Sequence, residues 1–213
     1  MMKKDEVKKL TKTDVKGLGF TDKMIKSLLP EPEEKRNPRY SSASPMLLWE
    51  EQTVLEIMRS DEFKDLYEKA QKRREGAYKA YSTKYDKTMA EISTKLKELE
   101  ILDIPLSQIY EEAIESKYEY DNEIGKNEYY SLQDYQCVDQ ATKDRWAVNY
   151  IRHELMDYDY ILYLIKGKVG VQDAYDMLYE AVTETISEKY PELSRAANGQ
   201  YSRKMNSKYG FDF

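Results

Sequence analysis

The polar residues best spaced for chemistry lie in the stretch DRWAVNYIRHELMDYDY, where Arg145, Asn149, Arg152, His153 and Asp157 follow one another. Steps of four, three, one and four put them along one face of a helix. Two guanidinium forks and one imidazole on such a face could hold a phosphate or a carboxylate. His153 is the only histidine of the chain, so any imidazole acid–base step depends on it. The same residues stand among Asp139, Asp144, Glu154, Asp157 and Asp159, and local ion pairs would satisfy them without any chemistry. A nuclease needs carboxylates gathered round a divalent cation; Asp157 and Asp159 are close in sequence but need not converge. Arg145, Asn149, Arg152 and His153 therefore stand as a candidate anion or ligand site beside a plain structural network, and no residue is assigned a catalytic role.

No phosphate-binding glycine motif, metal-ligand spacing or nucleophile elbow occurs. Lys166-Gly167-Lys168-Val169-Gly170 is glycine-rich but has the form of a turn between helices. The single cysteine, Cys137, excludes an internal disulfide framework and a thiolate zinc site, and is expected to be a reduced structural residue. No metal and no cofactor are expected. Twenty tyrosines are many for 213 residues. Their rings could stack on unpaired bases, as at Arg39-Tyr40, but most fall at helical spacing and suit a core or an interface with a wet hydroxyl.

Charge is divided unevenly along the chain. Residues 1–100 carry a net +3 and residues 101–213 a net −9, within a formal total of −6. A basic head on an acidic body can dock a polyanion through one face only, and phosphate contacts supply most sequence-independent affinity. The acidic, tyrosine-rich remainder suits a protein-docking face or a mimic of nucleic acid.

The elements that would position these residues begin in the head. Over 10–55, Thr11 or Thr13 can cap a first short helix, with Gly17 at a left-handed exit and Gly19 keeping the connection tight. Thr21 then caps a second helix through Leu29, whose Met24, Ile25, Leu28 and Leu29 form one apolar stripe and whose Lys23 and Lys26 face outward. Pro30 and Pro32 end it. Asn37-Pro38-Arg39-Tyr40 and Met46-Leu47-Leu48-Trp49 look like two extended arms round a turn at 41–45. Together these predict a winged helix-turn-helix over residues 1–59, its wing a small β-hairpin.

This segment resembles the C-terminal part of the DNA-binding domain of the xeroderma pigmentosum group A repair proteins. The matching residues are Leu10-Thr11-Lys12-Thr13-Asp14-Val15-Lys16, then Lys35-Arg36-Asn37-Pro38, Ser41 and Met46-Leu47-Leu48-Trp49. The layout is also similar to the MerR and excisionase winged helices. The likeness covers about seventy residues. It implies a DNA-binding fold in which Lys12, Lys16, Lys35, Arg36 and Arg39 meet phosphates and Lys72, Arg73 and Arg74 extend the footprint. Lys23 and Lys26 join them on helix geometry alone, and Tyr40 as a stacking ring. The repair proteins carry a four-cysteine zinc finger ahead of this segment, which this chain lacks; their wing lysine is Leu47 here, and Glu51 replaces a lysine just beyond.

Residues 60–100 read as one long helix. Ser60 is its cap, and Phe63, Leu66, Tyr67, Ala70, Ala77, Tyr78, Tyr81, Tyr85, Met89, Ile92, Leu96 and Leu99 form a narrow coiled-coil-like seam. At about 1.5 Å per residue it approaches 60 Å and must lean on something, either the same helix of a second subunit or the chain's own C-terminal region. Residues 101–195 predict an acidic helical domain with helices at 106–118, 139–156, 160–165 and 171–190, and a loop with at most short helical turns at 119–136. Residues 196–213 are expected to be a polar tail, mobile unless it serves as a docking peptide. The fold class is thus mainly α, and no apolar run suits a bilayer or a signal peptide, so a soluble, intracellular protein is expected. The functional expectation is a non-enzymatic protein that binds duplex or junction DNA and pairs with protein, or with its own copy, through 60–100. The alternatives are an interaction or inhibitory protein acting through the acidic face, and last a hydrolase or nuclease.

Overall fold

The computed structural model describes residues 8–38, 44–126 and 129–209. The chain is mainly helical, with one small antiparallel sheet, and forms two compact units, Met1–Ala80 and Tyr81–Phe213. The division falls inside a single helix. The 60–100 segment, expected as a separate piece, is therefore shared between the two units.

In the first unit, β1 (Lys9–Thr11) leads into α1 (Lys12–Gly17) through a capping box. The Asp14 N–H donates to Thr11 Oγ1 at 3.3 Å, while the Thr11 N–H donates to the Asp14 carboxylate at 2.8 Å. Each bond satisfies a backbone group that the first helical turn would otherwise leave open. The left-handed residue of the exit is Gly19, at φ 103°, and not Gly17. A Cβ at Gly19 would stand 2.5 Å from the Tyr67 ring, so both backbone conformation and close packing require glycine there.

Thr21 caps α2 (Asp22–Leu28), accepting from the Met24 N–H at 3.2 Å. Met24, Ile25 and Leu29 are buried as the spacing predicts, with Leu28 packed against the same cluster. Strands β2 (Glu33–Lys35) and β3 (Met46–Glu50) follow. The strand order is β1-β3-β2, with Leu10 opposite Trp49 and Glu34 opposite Leu47. Two expectations change here. The first arm forms at Glu33–Lys35, ahead of the anticipated 37–40, and β1 was not anticipated at all. Residues 39–43, with most of the expected turn, lie outside the described residues. Buried Trp49 anchors β3 by donating from Nε1 to the Pro30 carbonyl at 2.9 Å, and it joins Val15, Phe20, Val54 and Phe63 in the core.

Helix α3 (Glu51–Arg59) ends at Ser60, whose hydroxyl donates to the Ile57 carbonyl at 2.7 Å and accepts the Phe63 N–H at 3.2 Å. That cap starts α4 (Asp61–Lys97). The seam of α4 is packed only towards its ends. Phe63 and Ile92 are buried in the two separate cores, while residues 72–81, including Tyr78 and Tyr81, are exposed.

The second unit packs the end of α4 against α5 (Leu106–Glu123), α6 (Leu132–Gln136), α7 (Gln140–Glu154), α8 (Tyr158–Ile165), α9 (Val171–Lys189) and α10 (Ser194–Tyr209). Of the two supports foreseen for the long helix, the chain's own C-terminal region serves residues 85–99. The Tyr85 hydroxyl donates to Asp173 at 2.9 Å, and Lys168 pairs with Glu91 at 2.9 Å. The stretch 119–136, expected as a loop with at most short helical turns, carries the last turn of α5 and the short helix α6. A second capping box explains α6, with the Ser131 N–H donating to Asp134 at 2.7 Å. The expected tail is helical through Tyr209: α10 buries Ala197 and lies against α7 and α9. Its low apolar content hides this in the sequence, because the contact is made by small and amphipathic residues. Among the described residues no helix is long and apolar enough to cross a membrane.

Candidate functional site

The cationic residues of the first unit expected to meet phosphates fall into two groups. Lys12 and Lys16 reach from α1 to the first residue of α2, with Nζ atoms 2.8 and 2.7 Å from the two carboxylate oxygens of Asp22. The hydrogen bonds from Lys12 and Lys16 hold the Asp22 carboxyl down at about 2. Both lysines remain partly open to solvent. In the second group, Lys23 and Lys26 are exposed on α2 and line a shallow concavity of about 420 Å³ with Asp22 and Ser27. Lys35, at the end of β2, and Arg36 beside it are exposed too, as are Lys72, Arg73 and Arg74 on α4. None of these seven has a carboxylate partner among the described residues. Lys8 and Lys9 differ, being paired with Glu51 and Glu33. Arg39 and Tyr40 lie outside the described residues.

The α7 set does not converge. Asn149 and His153 face a groove of about 630 Å³ towards α5, lined also by Ser116, Lys117, Trp146 and Asp159. His153 Nδ1 sits 3.0 Å from an Asp159 oxygen, and its ring meets Tyr158 edge-on. Ser116 lines the same groove, but no hydrogen bond joins it to His153 among the described residues.

Arg152 turns the other way and is buried, with 6% of its surface exposed. Its Nη2 donates to Gln200 Oε1 at 2.8 Å, and its guanidinium lies over the rings of Tyr179 and Tyr158 at 4.7 and 5.6 Å. Its Nε has no hydrogen-bond partner among the described residues. Burial pushes the Tyr158 hydroxyl up to about 12. Lys204 from α10 enters the same aromatic cluster, 3.9 Å from the Tyr175 ring centre, and burial followed by the charge of Arg152 lowers its pKa. Two cations thus share a cage of tyrosines.

Arg145 belongs to a third place. It lines a groove of about 610 Å³ between α7 and α10 together with Arg195 and Arg203. Neither α10 arginine was singled out from sequence, although residues 195, 199 and 203 recur every four positions, the spacing of one helical face. Gln200 connects this groove to the interior, since its Nε2 donates to the Arg145 carbonyl at 3.1 Å while its oxygen holds Arg152. The proposed set of Arg145, Asn149, Arg152 and His153 is accordingly divided among two grooves and the core between them. The physical reason is that neighbours pack on both flanks of α7, so a face that is continuous on an isolated helix is cut by α10 and α5.

Cys137 is exposed and free, and no group of three or more potential metal ligands occurs among the described residues. Comparisons with family models, with curated proteins and with solved structures returned no match.

Proposed function

We propose that the protein binds DNA without acting as an enzyme, using the 1–80 unit as a winged helix-turn-helix whose hairpin is the wing. The observation that carries this reading is that, among the described residues, Lys23, Lys26, Lys35 and Arg36 have no carboxylate partner, whereas Lys8, Lys9, Lys12 and Lys16 are all paired. Unpaired surface cations release condensed counterions when they meet phosphates, which is the main source of sequence-independent affinity. The short helix pair with a tight glycine turn, followed by a β2–β3 hairpin, supports the same reading. So does the likeness of residues 10–16 and 35–49 to the repair-protein segment. Lys72, Arg73 and Arg74 would extend the contact along α4.

The test is a titration of the full chain on duplex, forked and single-stranded DNA at two salt concentrations. Lys35→Glu with Arg36→Glu should weaken duplex binding about tenfold or more at low salt and flatten its salt dependence by roughly one to two units of slope. Unchanged affinity in that variant would reject the assignment. A second reading draws on the second unit, where Tyr120, Tyr129, Tyr130, Tyr160 and Tyr163 are each more than half exposed. Tyrosine offers large rigid contact area at low entropic cost, and such a set suits a protein partner. High-affinity association with a basic protein, together with no DNA affinity at low salt, would select it.

A further inference from the structure

We propose that the groove between α7 and α10 is a binding site for a small molecule carrying two or more linked phosphate groups. Arg145, Arg195 and Arg203 line it in a unit that is acidic overall, and none makes a salt bridge to a carboxylate among the described residues, although Arg145 donates from Nη2 to Thr142 at 2.6 Å and lies near Asp139. In such surroundings, unpaired arginines gathered on one concave surface are the unusual feature, because acidic side chains were available to neutralise them. The carboxylate that lines the groove, Asp144, makes no ion pair with these arginines among the described residues. It accepts from the Tyr110 hydroxyl and from Gln140 Nε2, each at 2.8 Å.

Three further features favour a phosphate chain over other anions. Guanidinium groups stay charged at any physiological pH and bind phosphate oxygens in a forked geometry, so three of them match the charge of a diphosphate or triphosphate and exceed what one carboxylate can use. The groove is lined by the first turns of both α7 and α10, through Gln140 and Ala141 of one and Arg195 and Ala196 of the other, where the helix dipoles add positive potential although Asp139 caps α7. Its floor is small: Ala141, Ala196 and Gly199.

Gly199 bears on the shape of the site. It lies inside α10, where glycine is less favourable than alanine by about 1 kcal/mol. A Cβ there would meet nothing within 4 Å, so packing does not demand the glycine. The space it leaves belongs to the groove. Behind it, Gln200 is occupied by Arg152 and the Arg145 carbonyl, which leaves Arg195, Arg203 and the remaining donors of Arg145 to the ligand. At about 610 Å³ the volume is that of a small-molecule site, and no aromatic side chain lines it to read a base. The phosphate chain is therefore the recognised element.

The test uses the full chain with pyrophosphate and tripolyphosphate as probes, orthophosphate as the single-phosphate reference and a single-stranded oligonucleotide as competitor, all at matched ionic strength. Calorimetric titration should give saturable binding that tightens from orthophosphate to tripolyphosphate. Arg195→Gln with Arg203→Gln should weaken tripolyphosphate at least about tenfold. Gly199→Leu, which keeps the charge and improves helix propensity while filling the floor, should also abolish binding with an unchanged circular dichroism spectrum. The proposal is overturned by no saturable binding up to about 10 mM, by wild-type affinity in both variants, or by an oligonucleotide that occupies these arginines while tripolyphosphate fails to displace it.

Discussion

Asp22 and Arg152 show how a single side chain decides whether a cation is available. Asp22 receives Lys12 and Lys16 on its two oxygens, so a carboxylate stands between two of the lysines that the family resemblance assigns to phosphates. Asp22→Asn removes one negative charge from that surface and frees both ammonium groups. The expected result is duplex DNA binding about threefold tighter at low salt, an advantage that shrinks as salt is raised; equal affinity would mean these lysines lie off the DNA. Arg152 is the opposite case, a buried guanidinium with a hydrogen bond to Gln200, two tyrosine faces and, among the described residues, no carboxylate partner. Replacing buried charge by an apolar side chain of similar length is often neutral or stabilising. Arg152→Met should leave the melting midpoint unchanged or raise it, by up to about 2 kcal/mol in stability. A loss of stability would show that the tyrosine cage compensates the charge fully.

At the scale of elements, α6 is held in place by a group that titrates. Burial pushes the Asp121 carboxyl up, but the Lys117 ammonium at 2.6 Å and the Tyr135 hydroxyl at 2.8 Å together outweigh it and keep the pKa below the ordinary 3.8. Tyr135, raised to about 12 by burial and then by this hydrogen bond, also stacks on Trp146 of α7 with ring centres 5.5 Å apart. A lowered folded-state pKa stabilises above the unfolded value and loses that contribution as pH falls through the folded one. The docking of α6 should therefore persist at neutral pH and weaken below about pH 3.8, seen as a change in Trp146 fluorescence ahead of global unfolding. In Asp121→Asn the change should already be present at pH 7; an acid response identical to wild type would place its origin elsewhere. The elements that were legible in the sequence are those with a cap and an apolar stripe of their own, such as α2 behind Thr21 and α7 behind Asp139. Strand β1 was not legible, because three residues carry no periodicity and form a strand only through pairing with β3. Helix α10 was missed because its burial depends on residues such as Ala197 that look neutral in isolation. The α7 cluster failed for a related reason: spacing predicts which residues share a face but not which neighbours divide it.

On the scale of the whole molecule, α4 enters two cores and is supported by neither in between. Phe63 belongs to the first cluster and Ile92 to the second, while every residue from 72 to 81 is exposed. Helical stability in proteins comes mostly from packing an apolar face, so the turns lacking such a face depend on backbone hydrogen bonds and intrinsic propensity. Gly76 lies in the middle of them, with open space where a Cβ would be. Glycine inside a helix gives up about 1 kcal/mol against alanine, so these turns should open locally more often than the rest of α4. Hydrogen exchange on the intact chain should accordingly find the amides of 72–81 less protected than those near Phe63 and Ile92. Gly76→Ala should raise protection across that stretch about threefold to fivefold, corresponding to roughly 0.6–1 kcal/mol, with protection in the two cores unchanged. If Lys72, Arg73 and Arg74 meet DNA, bound duplex should protect the same amides in wild type, and the alanine variant should bind slightly tighter because less ordering remains to be done. Uniform protection along α4 in the free protein would show that something covers these turns in solution, and the two-core description of the helix would fail.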